Sequence, residues 1–72
     1  MLGHINVNLK DTVGRTALMR ATELGAYRLV KELLARNADV NIQDAYGYTA
    51  LMIASVDGYS KIIKRLLPKV RI

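Results

Sequence analysis

The apolar positions of this chain fall into a pattern that is written twice. Leu29, Val30, Leu33 and Leu34 form an apolar stripe at helical spacing, while Arg28, Glu32 and Arg36 line the other side four residues apart. The stripe returns as Ile62, Ile63, Leu66 and Leu67. Ahead of each stripe stands an Ala-Leu-Met-x-Ala run, at 17–21 and 50–54, whose residues favour helix. Thr16 and Thr49 precede these runs and can cap them by accepting a free backbone N–H; Gly25 and Gly58 follow and suit the left-handed position that closes a helix. Upstream of each run, "DTVG" and "DAYG" place Asp first and Gly fourth in a type I turn. After the second helix, Asn37 suits a left-handed C-terminal position and Val40 an extended one. Each unit therefore reads as turn, short helix, longer helix and extended return. The short helix has only about two turns, below the roughly 12–15 residues an isolated helix needs, so neighbouring units must hold it.

The register between the two copies is strict. Asp11/Asp44, Gly14/Gly47, Thr16/Thr49, Ala17/Ala50, Leu18/Leu51, Met19/Met52, Ala21/Ala54, Gly25/Gly58, Lys31/Lys64, Leu33/Leu66 and Leu34/Leu67 all share one offset of 33 residues, and "VNLKD" at 7–11 answers "VNIQD" at 40–44. A 33-residue unit made of a turn and two antiparallel helices is the signature of ankyrin repeats. The chain resembles that family over nearly its full length, in "D-x-x-G-x-T-A-L-M-x-A-x-x-x-G", "V/I-x-x-L-L" and "N-A-D-V-N". The resemblance implies a mainly α fold, a solenoid of stacked helix-turn-helix units with β-hairpin-like turns. The family's "TPLH" reads "TALM" in both copies, so the Pro that presets the first helical turn and the His that bonds neighbouring units are replaced, the latter by Met, a flexible apolar filler.

With 72 residues there is room for one domain, which buries only about 60% of its unfolded surface, so stability is expected to be marginal. The domain divides into the tail of a preceding unit at 1–10, a full unit at 11–43 and a truncated one at 44–72. Pro68 disfavours helix at Leu67 and replaces the usual return with "PKVRI", which marks the expected end of the array. Repeat arrays bury their cores between neighbours and need polar caps at both ends. The N-terminal side lacks one, so self-association through exposed ends, either extending the solenoid or forming a two-fold pair, is one expectation; a fragment cut from a longer array is the other.

Half of the residues are apolar and a quarter charged, the balance of an ordered chain. No apolar run approaches the ~20 residues of a membrane-spanning helix and the first ten residues do not read as a signal peptide, so a soluble cytoplasmic protein is expected. Cysteine is absent, which excludes disulfides and thiolate zinc sites. The single His, His4, stands where the repeat has Asn37 and reads as an exposed turn residue; Ser55 and Ser60 lie in or at the start of helices, so no hydrolase triad can be assembled. The glycines are spread at repeat spacing rather than clustered as a phosphate loop. Asp11, Asp39 and Asp44 occupy turns without a second acid or His at ligand spacing. Neither an enzyme nor a cofactor is expected.

What the resemblance implies instead is recognition of a protein partner by turn tips and the exposed side of each first helix. Carried over by position, that face holds Lys10, Thr12, Val13, Arg15, Arg20, Glu23 and Leu24, then Gln43, Ala45, Tyr46, Tyr48, Ile53, Val56 and Asp57. Tyr46 and Tyr48 stand out, because exposed tyrosines offer rigid amphipathic contact area. A rival surface comes from charge. The net charge of +5 resides entirely in Lys61, Lys64, Arg65, Lys69 and Arg71, since the preceding cations and acids balance. Where the first unit has Arg28, Glu32 and Arg36, the second has Lys61, Arg65 and Lys69, so an alternating face becomes uniformly positive. Such a face could attract an acidic partner, nucleic acid or membrane. With no aromatic interleaved among these cations in sequence, nucleic acid and membrane are the weaker expectations. A solvated end cap accounts for the same residues.

Overall fold

The computed structural model describes residues 6–71, and within them the chain folds into four α-helices and a closing 3-10 turn. These are α1 (Ala17–Glu23), α2 (Tyr27–Ala35), α3 (Ala50–Asp57), α4 (Ser60–Leu66) and the turn Leu67–Lys69. Strands are absent among the described residues. Within a unit α1 packs on α2 and α3 on α4; between units α1 packs on α3 and α2 on α4, so the first helices of the units form one layer and the second helices another, although α4, at 7 residues, is shorter than the longer second helix expected. The fold is the expected mainly α stack of helix pairs. His4 lies outside the described residues, as do all the residues before Asn6.

Local chemistry sets the helix limits. The Thr16 and Thr49 hydroxyls accept from the Met19 and Met52 N–H groups, each at 3.3 Å. After α1, Gly25 adopts φ 68° while its N–H reaches the Thr22 carbonyl and the next N–H, of Ala26, reaches Ala21. This pair of hydrogen bonds is a Schellman closure, which recovers two orphaned carbonyls and requires a left-handed residue. Gly58 closes α3 the same way, with Tyr59 N–H on Ala54 O, and Asn37 closes α2 at φ 65°, with Ala38 N–H on Leu33 O.

The C-terminal end departs from expectation in two respects. Leu67 stays in the right-handed region (φ −50°, ψ −47°) despite the following proline, and the chain tightens there into a 3-10 turn with Pro68 near its start, where the fixed φ of proline is tolerated. The segment beyond then follows the return path of the preceding unit. The Arg71 N–H donates to Asn41 Oδ1 at 3.0 Å, as the Asp39 N–H donates to Asn8 Oδ1 at 2.8 Å one unit earlier, but with the register one residue shorter.

The core comprises Leu18, Met19, Val30, Leu34, Ile53, Ile62 and Leu66, with Ala21, Ala50 and Ala54 at the close helix approaches. Equivalent positions reveal which way each side chain faces. Leu29 is 48% exposed whereas its equivalent Ile62 is 2% exposed, so this position packs on the unit before it. Met19 is 1% exposed whereas Met52 is 46%, so that position packs on the unit after it.

Candidate functional site

The turns ahead of α1 and α3 are built by one residue each. Asp11 Oδ1 accepts from the N–H groups of Val13 and Arg15 at 3.0 and 2.9 Å, while the Asp11 carbonyl accepts from Gly14 N–H at 3.0 Å. Asp44 repeats the arrangement with Tyr46 and Tyr48, both at 2.9 Å, and Gly47 at 3.1 Å. The two turns are laced together by Ala45 N–H donating to Val13 O at 3.0 Å. Gly14, at φ 80°, permits this approach, since a Cβ there would lie 2.9 Å from the Ala45 nitrogen.

A charge network braces the same surface. Arg15 reaches across units, its Nε donating to Asp44 Oδ2 at 3.1 Å and its Nη1 to Glu23 Oε1 at 2.8 Å. Arg20 bonds Asp11 Oδ2 through Nε and Nη2 at 3.0 and 2.8 Å and also reaches Glu23 at 3.1 Å. Burial by itself would raise the Asp44 carboxyl, but the N–H groups of Tyr48 and Tyr46 and the Arg15 guanidinium outweigh it and hold the group below its ordinary 3.8. The Arg15 N–H, followed by the Arg20 side chain, lowers Asp11, and Arg20 and Arg15 together lower Glu23.

The predicted contact residues thus separate into distinct groups. Arg15, Arg20 and Glu23 are braces, each engaged by neighbours on this face. Ile53, expected as an exposed contact, is only 7% exposed: α3 turns it toward the core, and it forms the floor of a shallow groove. That groove, of about 280 Å³, is walled by Arg15, Glu23, Tyr48, Val56 and Asp57, so it joins both units. Tyr46 and Val56 stand out of the surface at 77% and 78% exposure, with Leu24 similarly open at the end of α1. Lys10, Thr12 and Ala45 are exposed along the turns and Val13 is half-buried. Gln43 is also exposed, its amide folded over its own turn and donating to Gly47 O at 3.0 Å.

The basic residues lie in the other layer. Sequence places no aromatic among them, but folding does. Tyr27, on α2, has Lys31, Lys61 and Arg65 at 5.9, 5.8 and 5.8 Å from its ring centroid, and Arg65 Nε donates to its hydroxyl at 3.1 Å. That bond and the surrounding cations lower the Tyr27 phenol from its ordinary 10.0. The one signal available in the sequence was a break in the repeat, since Tyr27 stands where the second unit has Ser60. Between α2 and α4 runs a groove of about 470 Å³ lined by Lys31, Leu34, Ala35, Lys64, Arg65, Pro68 and Lys69.

Comparison with known proteins accords with this architecture. No curated protein matches the chain. The family model for ankyrin repeats, in three copies, matches residues 1–72. The turns, the capped helix pairs and the stacking of one unit on the next thus have a common origin, and the chain belongs to the ankyrin-repeat family.

Proposed function

We propose that this chain is a non-enzymatic scaffold or adaptor module that binds a protein partner through its turn tips and the exposed sides of α1 and α3. Ankyrin repeats generally serve protein–protein interaction. The observation that carries the site is the combination of braced charge and open apolar surface. Asp11, Glu23 and Asp44 are engaged by Arg15 and Arg20 on this face, which leaves Tyr48, Val56 and Asp57 at the Ile53 groove, and the exposed Tyr46 on the turn that carries Tyr48, as the contact groups. Exposed tyrosines beside a recess with an Ile53 floor and an arginine wall supply the residue types enriched among those that dominate binding energy.

The test is affinity capture of partner proteins with the wild-type chain and with the Tyr46→Ala and Val56→Ala variants. Because both side chains are exposed, melting should not change. Each substitution is expected to cost a captured partner about 2 kcal/mol, roughly 30-fold in Kd. Retention of the partner at wild-type strength by both variants would refute this surface.

A second reading, self-assembly through the solenoid ends, is favoured by one observation. Leu29 is exposed at one end and Met52 and Leu67 at the other, whereas their equivalents Ile62, Met19 and Leu34, which have a neighbouring unit, are buried. Sedimentation equilibrium tests it, through an average mass that rises with concentration.

A further inference from the structure

The groove between α2 and α4 has a composition that the contact face does not share. Lys31, Lys64, Arg65 and Lys69 rim it, with Lys61 one turn before Arg65, so five cations lie along two adjacent helical stripes. No acid lines it. Asp11, Glu23 and Asp44 are engaged by Arg15 and Arg20, and Glu32 is turned to Arg36 at 3.3 Å. No acid pairs with the five cations among the described residues, and like charges four residues apart, as at Lys61 and Arg65 on α4, repel one another. The Tyr27 ring, with three of these cations around it, offsets part of that repulsion and positions Arg65 beside the groove. The floor is apolar, being Leu34, Ala35 and Pro68.

We infer that this groove is a second docking site, and that its occupant is a short acidic peptide segment carrying an apolar side chain. Charge complementarity supplies the anionic requirement, and the floor supplies the apolar one. The row of cations from Lys61 to Lys69 rises about 12 Å at ~1.5 Å per residue, enough to face roughly four extended residues at ~3.3 Å each. Carboxylates on such a segment meet the rim while one aliphatic side chain enters between Leu34 and Pro68. Nucleic acid fits less well: a phosphate chain gains nothing from an apolar floor, and the cations flanking Tyr27 leave no aromatic lining the groove on which a base could stack. A membrane surface is planar and cannot reach the floor of a recess. The site lies on the opposite helix layer from the Tyr46 face, so the two surfaces can be occupied independently.

The probe is a fluorescein-labelled peptide Asp-Glu-Leu-Glu-Asp, with a Leu→Ser version, a single-stranded oligothymidine and phosphatidylserine vesicles as comparators. Fluorescence anisotropy with the wild-type chain should show saturable binding of the Leu peptide that weakens about tenfold between ~50 and ~300 mM salt. The Leu→Ser peptide should bind several-fold more weakly. Lys64→Glu combined with Lys69→Glu should reduce binding at least about tenfold. Their thermal melting should hold or rise, because the reversal relieves like-charge repulsion. The Tyr46→Ala variant should bind the peptide as the wild type does, which separates failure of this site from failure of the contact face. Absence of saturable peptide binding would overturn the inference. So would equal affinity for the Leu and Ser peptides, tighter binding of the oligothymidine or the vesicles, or indifference to the charge reversal.

Discussion

Gly14 and Gly47 hold the same place in consecutive turns, at φ 80° and 88°, yet they answer to different constraints. Any L-residue there incurs the left-handed cost of about 1–2 kcal/mol. At Gly47 that is the whole cost, because the nearest atom to a built Cβ is Gln43 Nε2 at 3.8 Å. At Gly14 the Cβ would also press on the Ala45 nitrogen at 2.9 Å and on the Asp44 backbone at 3.2 Å, displacing the bond between Ala45 N–H and Val13 O that joins the two units. Gly14→Ala should therefore lose about 1 kcal/mol more than Gly47→Ala in urea unfolding, the worth of one hydrogen bond. Equal losses would show that the inter-turn contact contributes nothing.

The turns act as elements through their aspartates, and this gives the fold an acid limit. The folded values of Asp11 and Asp44 lie below 3.8 and that of Glu23 below 4.5. A depressed carboxyl stabilises the fold fully above its unfolded value, and that contribution is lost as pH falls through the still lower folded value. Melting temperature should thus hold from neutrality down to about pH 5 and then drop. Asp44→Asn retains an oxygen for the Tyr46 and Tyr48 N–H groups but gives up the charge facing Arg15. It should melt lower at neutral pH and show a shallower acid decline; an unchanged slope would assign the acid sensitivity to Asp11 and Glu23 alone. The turns, caps and helices were legible in the sequence because their partners lie within a few residues: Asp11 with Arg15, Thr16 with Met19, Gly25 after α1. The contacts that organise the site were not. Arg15 finds Asp44 across 29 residues and Arg65 finds Tyr27 across 38, distances at which spacing carries no signal once the pair departs from the repeat. Ile53 was misplaced for a related reason, since its turn toward the core depends on helix packing between units.

Stacking is the property of the whole molecule, because every unit presents one face that looks backward and another that looks forward. Leu29 and Ile62 mark the backward face, Met19 and Met52 the forward one; between the units these meet and are buried, while at the ends Leu29 and Met52 remain open. A contact between the forward face of one chain and the backward face of another would repeat the internal one. It would be heterologous, so it would not close, and growth would continue with concentration. Sedimentation equilibrium should then show an average mass that rises steadily rather than levelling at a dimer. Leu29→Lys and Met52→Lys should each abolish growth, because each removes one of the two required faces. The decisive sample is their equimolar mixture. A Leu29→Lys chain keeps its forward face and a Met52→Lys chain its backward face, so the mixture should form a dimer and stop there. A two-fold pair would behave otherwise, since like faces would meet and one variant would still dimerise alone. A monomer at all concentrations in the wild type would leave the ends unused and the Tyr46 face and basic groove as the sites through which the module acts.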